Sequence, residues 1–221
     1  MATDAPIPMP TDISALITLA QWLSPGFPIG AFSYSHGLET VVQGGAIHDA
    51  DSLQAWLRDI VTHGAGRNDA ILLAAAYRGE GLAALDELAR ALAPSSERLS
   101  ETAQQGAAFV RTVNDVWGLS LPPLTLPVAV GAAAAAQGLP LAETAQMFLH
   151  AFVSSLTSAA VRAVPLGQTD GQRVILALAP LCRTTVDTAL RQTVDDIGSA
   201  CFAADIASMQ HETQYSRMFQ T

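Results

Sequence analysis

Apolar residues recur at helical intervals along almost the whole chain. Ile13, Leu16, Ile17, Ala20 and Leu23 follow the i, i+3, i+4, i+7 spacing of one helix face, and Ser24-Pro25-Gly26 ends the helix they predict. Leu53, Trp56, Leu57, Ile60 and Val61 repeat the pattern, with Asp49 or Asp51 as N-cap and Gly64 as the stop. Asn68 is placed to cap a helix running to Tyr77 and Gly79. Leu82, Leu85, Leu88, Ala89 and Leu92 mark another, closed by Pro94. Ser95 or Ser96 opens a long helix through Phe109, Val110 and Val113 to Gly118. Further on, the spacing predicts an alanine-rich helix over 122–136 ended by Gly138. A helix follows from Pro140, whose missing N–H suits a first turn, to about Val164. Shorter helices are expected over 172–178, 182–194 and 203–208. Nowhere does apolar alternate with polar for long enough to predict a strand. The expected fold is all-α, about ten helices in one bundle. The expected organisation is a flexible segment over 1–10, a helical domain over 11–210 and an interaction tail over 211–221.

Composition narrows the chemistry. The chain has 221 residues and a formal net charge of -9, with 11 residues in the Lys+Arg count, every one of them arginine. Without lysine there is no Walker-A loop, which needs an ammonium to reach the phosphates, and no Schiff-base chemistry. An acidic chain with no basic run offers no electrostatic footprint for nucleic acid or an anionic membrane. Forty alanines suit close helix–helix approach, since small side chains let the axes come together. Cys182 and Cys201 fall in no paired spacing, and the first residues carry neither a basic flank nor an apolar run; a reduced, cytoplasmic setting is expected. The most apolar stretches, 124–136 and 147–166, are broken by Pro127 and Gly131 or carry His150 and Arg162. They predict buried helices rather than membrane spans.

Three segments interrupt the helical pattern: 24–39, 163–173 and 211–221. The histidines His36, His48, His63, His150 and His211 never lie three or four apart, so no two share a helix face, and no metal site is expected. His211-Glu212-Thr213-Gln214-Tyr215 starts like a zinc-protease helix but has Tyr215 where the second ligand histidine would stand. Ser33, Ser35 and His36 follow Gly30, yet this is not a nucleophile elbow. The expectation is a loop that Ser33 or Ser35 caps into a helix, with Glu39 in its first turn. Gly167 to Gly171, flanked by Arg162 and Arg173, has the glycines of a phosphate cradle. Asp170 would repel an anion there, so an interhelical turn capped by Thr169 or Asp170 is the expectation. No catalytic constellation emerges. The tail packs His211, Glu212, Tyr215 and Arg217 into one short stretch, and tyrosine and arginine are favoured interface anchors.

Leu23-Ser24-Pro25-Gly26-Phe27-Pro28-Ile29-Gly30-Ala31-Phe32-Ser33-Tyr34-Ser35-His36-Gly37-Leu38-Glu39 resembles the N-terminal signature of the urease accessory protein UreF family. The segment from Ser158 through Arg162, Pro165 and Gly167 to Gln172 is similar to its central motif, and that from Asp205 to Arg217 to its C-terminal one. The resemblance implies a non-enzymatic, dimeric, all-α adaptor. Such a protein binds the accessory protein UreD (UreH in some systems) and with it recruits the GTPase UreG to apo-urease, where nickel is inserted. No bound cofactor is implied, nickel being handled by the assembled complex. Carried onto this chain, the contact residues are Phe32, Tyr34, Glu39, His211, Glu212, Tyr215 and Arg217. The end Met218-Phe219-Gln220-Thr221 lacks the family's usual terminal basic residue, and Cys201-Phe202-Ala203-Ala204 replaces a stretch that usually contains proline. The alternative reading from the residues is a small-ligand binder or enzyme with a groove near His36, Arg162 and Asp170. That reading calls for a pocket of several hundred cubic ångströms, roughly the size drug-like ligands occupy.

Overall fold

The computed structural model describes residues 12–220, and among them every regular element is helical. Ten α-helices follow in order: α1 (Ile13–Trp22), α2 (Leu38–Gln43), α3 (Ala50–His63), α4 (Ala65–Tyr77), α5 (Leu82–Ala91), α6 (Ser96–Trp117), α7 (Leu126–Ala136), α8 (Leu141–Ala163), α9 (Gln168–Ala189) and α10 (Phe202–His211). Single 3-10 turns at Ala31–Ser33 and Val194–Asp196 complete the set. The expected segment 1–10 lies outside the described residues, as does Thr221.

Several starts follow from side chains that satisfy the free N–H groups of a first turn. Asp12 accepts the Ser14 N–H at 2.9 Å, Asp49 that of Ser52 at 2.9 Å, and Ser95 that of Arg98 at 3.1 Å. Other boundaries differ from the sequence expectation. Asn68 caps nothing: α4 begins at Ala65, immediately after Gly64 closes α3, and Asn68 is buried within the helix. The alanine-rich helix starts at Leu126 rather than Pro122, with Pro127 taking the first-turn position. The two helices expected over 172–178 and 182–194 are one helix, α9, which runs through Pro180 on an exposed face and stops at Ala189. Its cap residue is Gly167, neither Thr169 nor Asp170.

The core centres on α4 and α7. Seven consecutive residues, Ala70 to Ala76, are buried in α4, and Pro127 to Ala134 are buried in α7. Small side chains make this possible: a Cβ on Gly131 would collide with the Leu73 carbonyl, so the two backbones touch. Around this pair pack α3, α6, α8 and α9. Trp22 meets Phe109 and Trp117 edge-on, at ring-centroid separations of 5.4 and 5.5 Å, and so fixes α1 against α6. Trp22, Leu72, Phe109 and Leu149 are completely or almost completely removed from solvent. Truncating one such aromatic residue to alanine costs about 3–5 kcal/mol. The bundle leaves the 24–37 loop, α2 and the chain end together on one side.

Candidate interaction site at the chain end

The tail folds back onto the body through a short chain of ionic contacts. His211, the last residue of α10, has 0 % exposure. Its Nδ1 lies 2.7 Å from Glu97 Oε2 and its Nε2 3.3 Å from Glu39 Oε2, so each ring nitrogen faces a carboxylate from a different helix. A ring with N–H on both nitrogens satisfies both contacts. Glu39 also accepts the Met218 N–H at 2.8 Å and the Phe219 N–H at 3.0 Å. Arg217 pairs with the other oxygen of Glu97. Gln220 N–H donates to the Ser33 carbonyl at 2.8 Å, and Thr40 donates its hydroxyl to Gln214 at 2.9 Å. Glu212 accepts the N–H and hydroxyl of Ser96, both at 2.7 Å, and thereby caps α6. Those donors hold its carboxyl below the ordinary carboxylate range.

Phe219 is buried beneath Arg162, whose guanidinium lies 4.6 Å from the ring centroid. The same arginine donates to the Phe32 carbonyl at 2.6 Å. Arg162 therefore ties the central segment to both the N-terminal loop and the tail, and it flanks no phosphate cradle. Asp170 instead pairs with Arg173 at 2.6 Å on the surface.

The loop reaches α2 through two consecutive left-handed residues, His36 (φ 55) and Gly37 (φ 73). This conformation is uncommon for a residue with a side chain, and it turns the imidazole inward. The cap of α2 is Gly37, not Ser33 or Ser35, although Ser35 Oγ accepts the Glu39 N–H at 3.4 Å and Glu39 does occupy the first turn. A Cβ on Gly37 would stand 2.5 Å from the Ser208 nitrogen, so glycine is also what allows α10 to lie against α2.

Inside the loop lies a second polar group. His36 Nε2 is 2.9 Å from Glu101 Oε1 and 2.6 Å from Arg98 Nη1, and Arg98 pairs with Glu101. Burial pushes the His36 pKa down, and Arg98 adds to this. Burial would raise Glu101, but the charges of Arg98 and His36 outweigh it and hold the carboxyl at about 2. Asp69, on α4, is pushed up to about 7 by desolvation, only partly offset by Arg98. Two cavities flank this group. The larger, about 410 Å³, runs from the 24–34 loop between α6 and α8. The smaller, about 80 Å³, lies toward Cys201 and Ser208. His36, Asp69 and Arg98 line both.

The residues singled out in the sequence therefore divide. Glu39 and His211 are buried and hold the tail from within. Tyr34 is buried, and its hydroxyl donates to Gln104 at 3.1 Å; desolvation, then the Glu101 charge, raises its pKa. Phe32 (69 % exposed) and Tyr215 (fully exposed) face solvent, with Arg217 half-exposed beside them. Phe202, Ile206 and Met209 add an exposed apolar stripe along α10. Of the alternative groove's residues, only His36 lines the large cavity; Arg162 and Asp170 do not. Glu97, Arg98, Glu101 and Asp69 were not singled out. Glu101 alone carried a signal, in its placing with Gln105 on the same α6 stripe as Phe109 and Val113, polar residues on a face otherwise built for the core. Among the described residues there is no group of three or more His, Cys, Asp or Glu side chains able to hold a metal ion. Nor is there a helix long and apolar enough to cross a membrane.

Fold and site together define an all-α bundle in which three separated sequence segments close into one surface. The model of the UreF family matches residues 47–179. A urease accessory protein UreF of Roseobacter denitrificans is 54% identical, with 96% of each chain covered. Its counterpart in Cereibacter sphaeroides is 55% identical over 94% of this chain and 99% of its own. That of Rhodopseudomonas palustris is 48% identical, with 94% of each covered. The chain belongs to the UreF family of urease accessory proteins.

Proposed function

We propose that this protein is the adaptor through which a UreD- or UreH-type protein and the GTPase UreG are brought to apo-urease for nickel insertion. It acts as a cytoplasmic homodimer and catalyses no reaction of its own. The observation that supports this most directly is the surface around the tail. Tyr215, Met218 and Phe32 stand exposed on a backbone fixed by Glu39, Glu97 and Arg162, and the stripe of Phe202, Ile206 and Met209 lies on the adjoining helix. Rigid, exposed aromatic and apolar side chains lose little conformational freedom on docking, which is what a recruitment surface requires. Phe32, Tyr215 and Arg217 are the direct contacts in this reading, while Tyr34, Glu39, His211 and Glu212 hold them in place. Nickel is cargo of the assembly, not a resident of this chain.

The test is co-purification of the full chain with UreD- and UreG-type proteins and apo-urease, with metal analysis with and without GTP. The expected result is one assembly that loads nickel only when this chain is present. Nickel-loaded, active urease formed equally well without it would overturn the reading.

A further inference from the structure

One wall of the large cavity is held from outside the core. Its lining takes in Ala31, Phe32 and Tyr34 of the N-terminal loop, and Phe32 is at the same time 69 % exposed, so this wall is where the cavity meets the surface. The loop is anchored on both sides of the 3-10 turn Ala31–Ser33. Ahead of the turn, the Phe27 ring packs on Phe109 at a centroid separation of 5.4 Å. Behind it, Tyr34 is buried and its hydroxyl donates to Gln104 at 3.1 Å. Between these anchors no residue of the turn is buried, so the core does not fix it. Gly30 precedes the turn in a left-handed conformation (φ 72), and a Cβ there would meet nothing within 4 Å. Such a residue can take up a large change of backbone angles without striking its neighbours.

Two hydrogen bonds fasten the turn to the rest of the fold, and both lead to the chain end. Gln220 N–H donates to the Ser33 carbonyl at 2.8 Å. Arg162 donates to the Phe32 carbonyl at 2.6 Å, and its guanidinium is seated on Phe219, 4.6 Å from the ring centroid. Phe219 is itself buried and hangs by its amide from Glu39. A tail that leaves this position removes one bond outright and takes away the ring that seats the donor of the other.

We propose that the turn Ala31–Ser33 is a flap over the mouth of this cavity and that the chain end is its latch. With the tail docked, the flap is held to α8 through Arg162. With the tail drawn away, it swings about Gly30 and the cavity admits molecules that it otherwise excludes. The coupling runs both ways: an occupant that needs the flap open loosens the tail. All the contacts lie within one chain, so the latch does not depend on the adaptor reading.

The test uses the full chain carrying Ile175→Cys, which places a thiol in the cavity wall on α9. Its modification by methyl methanethiosulfonate is timed by peptide mass spectrometry. Cys182, buried on the same helix, is the internal reference for general unfolding. The thiol of Ile175→Cys is expected to react slowly while the tail is docked. Adding Phe219→Ala should speed it at least about tenfold, the population gain from losing one hydrogen bond, and leave Cys182 unchanged. Gln220→Pro deletes only the donor to Ser33 and should shift the rate the same way by less, with the fold intact. Reaction at the rate of a free thiol before the tail is loosened overturns the proposal. So does an unchanged rate in Gln220→Pro, or a rate in Phe219→Ala that rises only in step with Cys182.

Discussion

The carboxylate of Glu39 accepts the backbone N–H of Phe219 at 3.0 Å, joining the first turn of α2 to the far end of the chain. The same carboxylate faces His211, so one side chain organises both ends of the tail. Glu39→Ala leaves two amides and an imidazole in a buried setting without their acceptor. The expected loss of stability is about 2–4 kcal/mol, with rapid hydrogen exchange at Met218 and Phe219. Slow exchange at those two amides in the variant would show that something else holds the tail.

Arg217 pairs with Glu97 but remains half-exposed, and exposed ion pairs add little to stability. Arg217→Ala should therefore cost less than about 1 kcal/mol and leave the helical circular-dichroism spectrum unchanged. Recruitment of the partner proteins should fall, read by co-purification. A variant that assembles the whole complex and activates urease normally rules out Arg217 as an anchor.

Asp69 and Glu101 give stability opposite dependences on pH. Asp69 titrates near 7 in the folded chain against an ordinary 3.8, so the folded state holds a proton that the unfolded chain has released. Stability from this group falls as pH rises from about 4 to 7, by about 4 kcal/mol in total. Glu101, held at about 2 against 4.5, contributes stability that is fully present above 4.5 and lost as pH falls through about 2. Asp69→Asn should then raise the Tm by several degrees at pH 8 and leave it nearly unchanged at pH 4. Glu101→Gln should lower it at pH 7 and have little effect near pH 2. Thermal unfolding across that range checks both signs, and a Tm gain for Asp69→Asn of equal size at pH 4 and pH 8 contradicts the first.

Gly37 combines a left-handed backbone with close contact to α10. Gly37→Ala must strain φ and push against the Ser208 nitrogen, at an expected cost of at least about 2 kcal/mol. Gly45 has the same backbone sign but open space around it, so Gly45→Ala should cost only about 1 kcal/mol. Equal Tm losses for the two would show that the contact with α10 contributes nothing.

The helices were legible because their signals are local. Asp49, Ser95 and Gly64 cap or stop helices by their own chemistry, and the 3.6-residue periodicity of Leu53 to Val61 needs no tertiary context. What failed depended on surroundings. Pro180 reads as a break, yet its missing N–H falls on a solvent-facing side of α9 and the helix continues. Asn68 has the right side chain for a cap, but Gly64, four residues earlier, already turns the chain into α4. The tail's unusual composition was visible from His211, Tyr215 and Arg217; its receptors were not. Glu39 and Glu97 are ordinary first-turn acids of their helices, and only the fold places them on either side of one imidazole. Asp69 carried no signal at all, since its character comes entirely from what surrounds it.

Arg162 touches both Phe32 and Phe219, so three stretches that look like separate motifs in the sequence are a single object in space. This bears on how the protein can be rebuilt from its relatives. A chimera that takes only the loop, only the 158–172 segment or only the tail from a distant homologue brings one third of a lock to two thirds of another. Grafting all three together transplants the surface whole only onto a frame whose α6 opens with the Ser96 and Glu97 that receive Glu212, His211 and Arg217. In this chain the unit of exchange is the junction, not the motif.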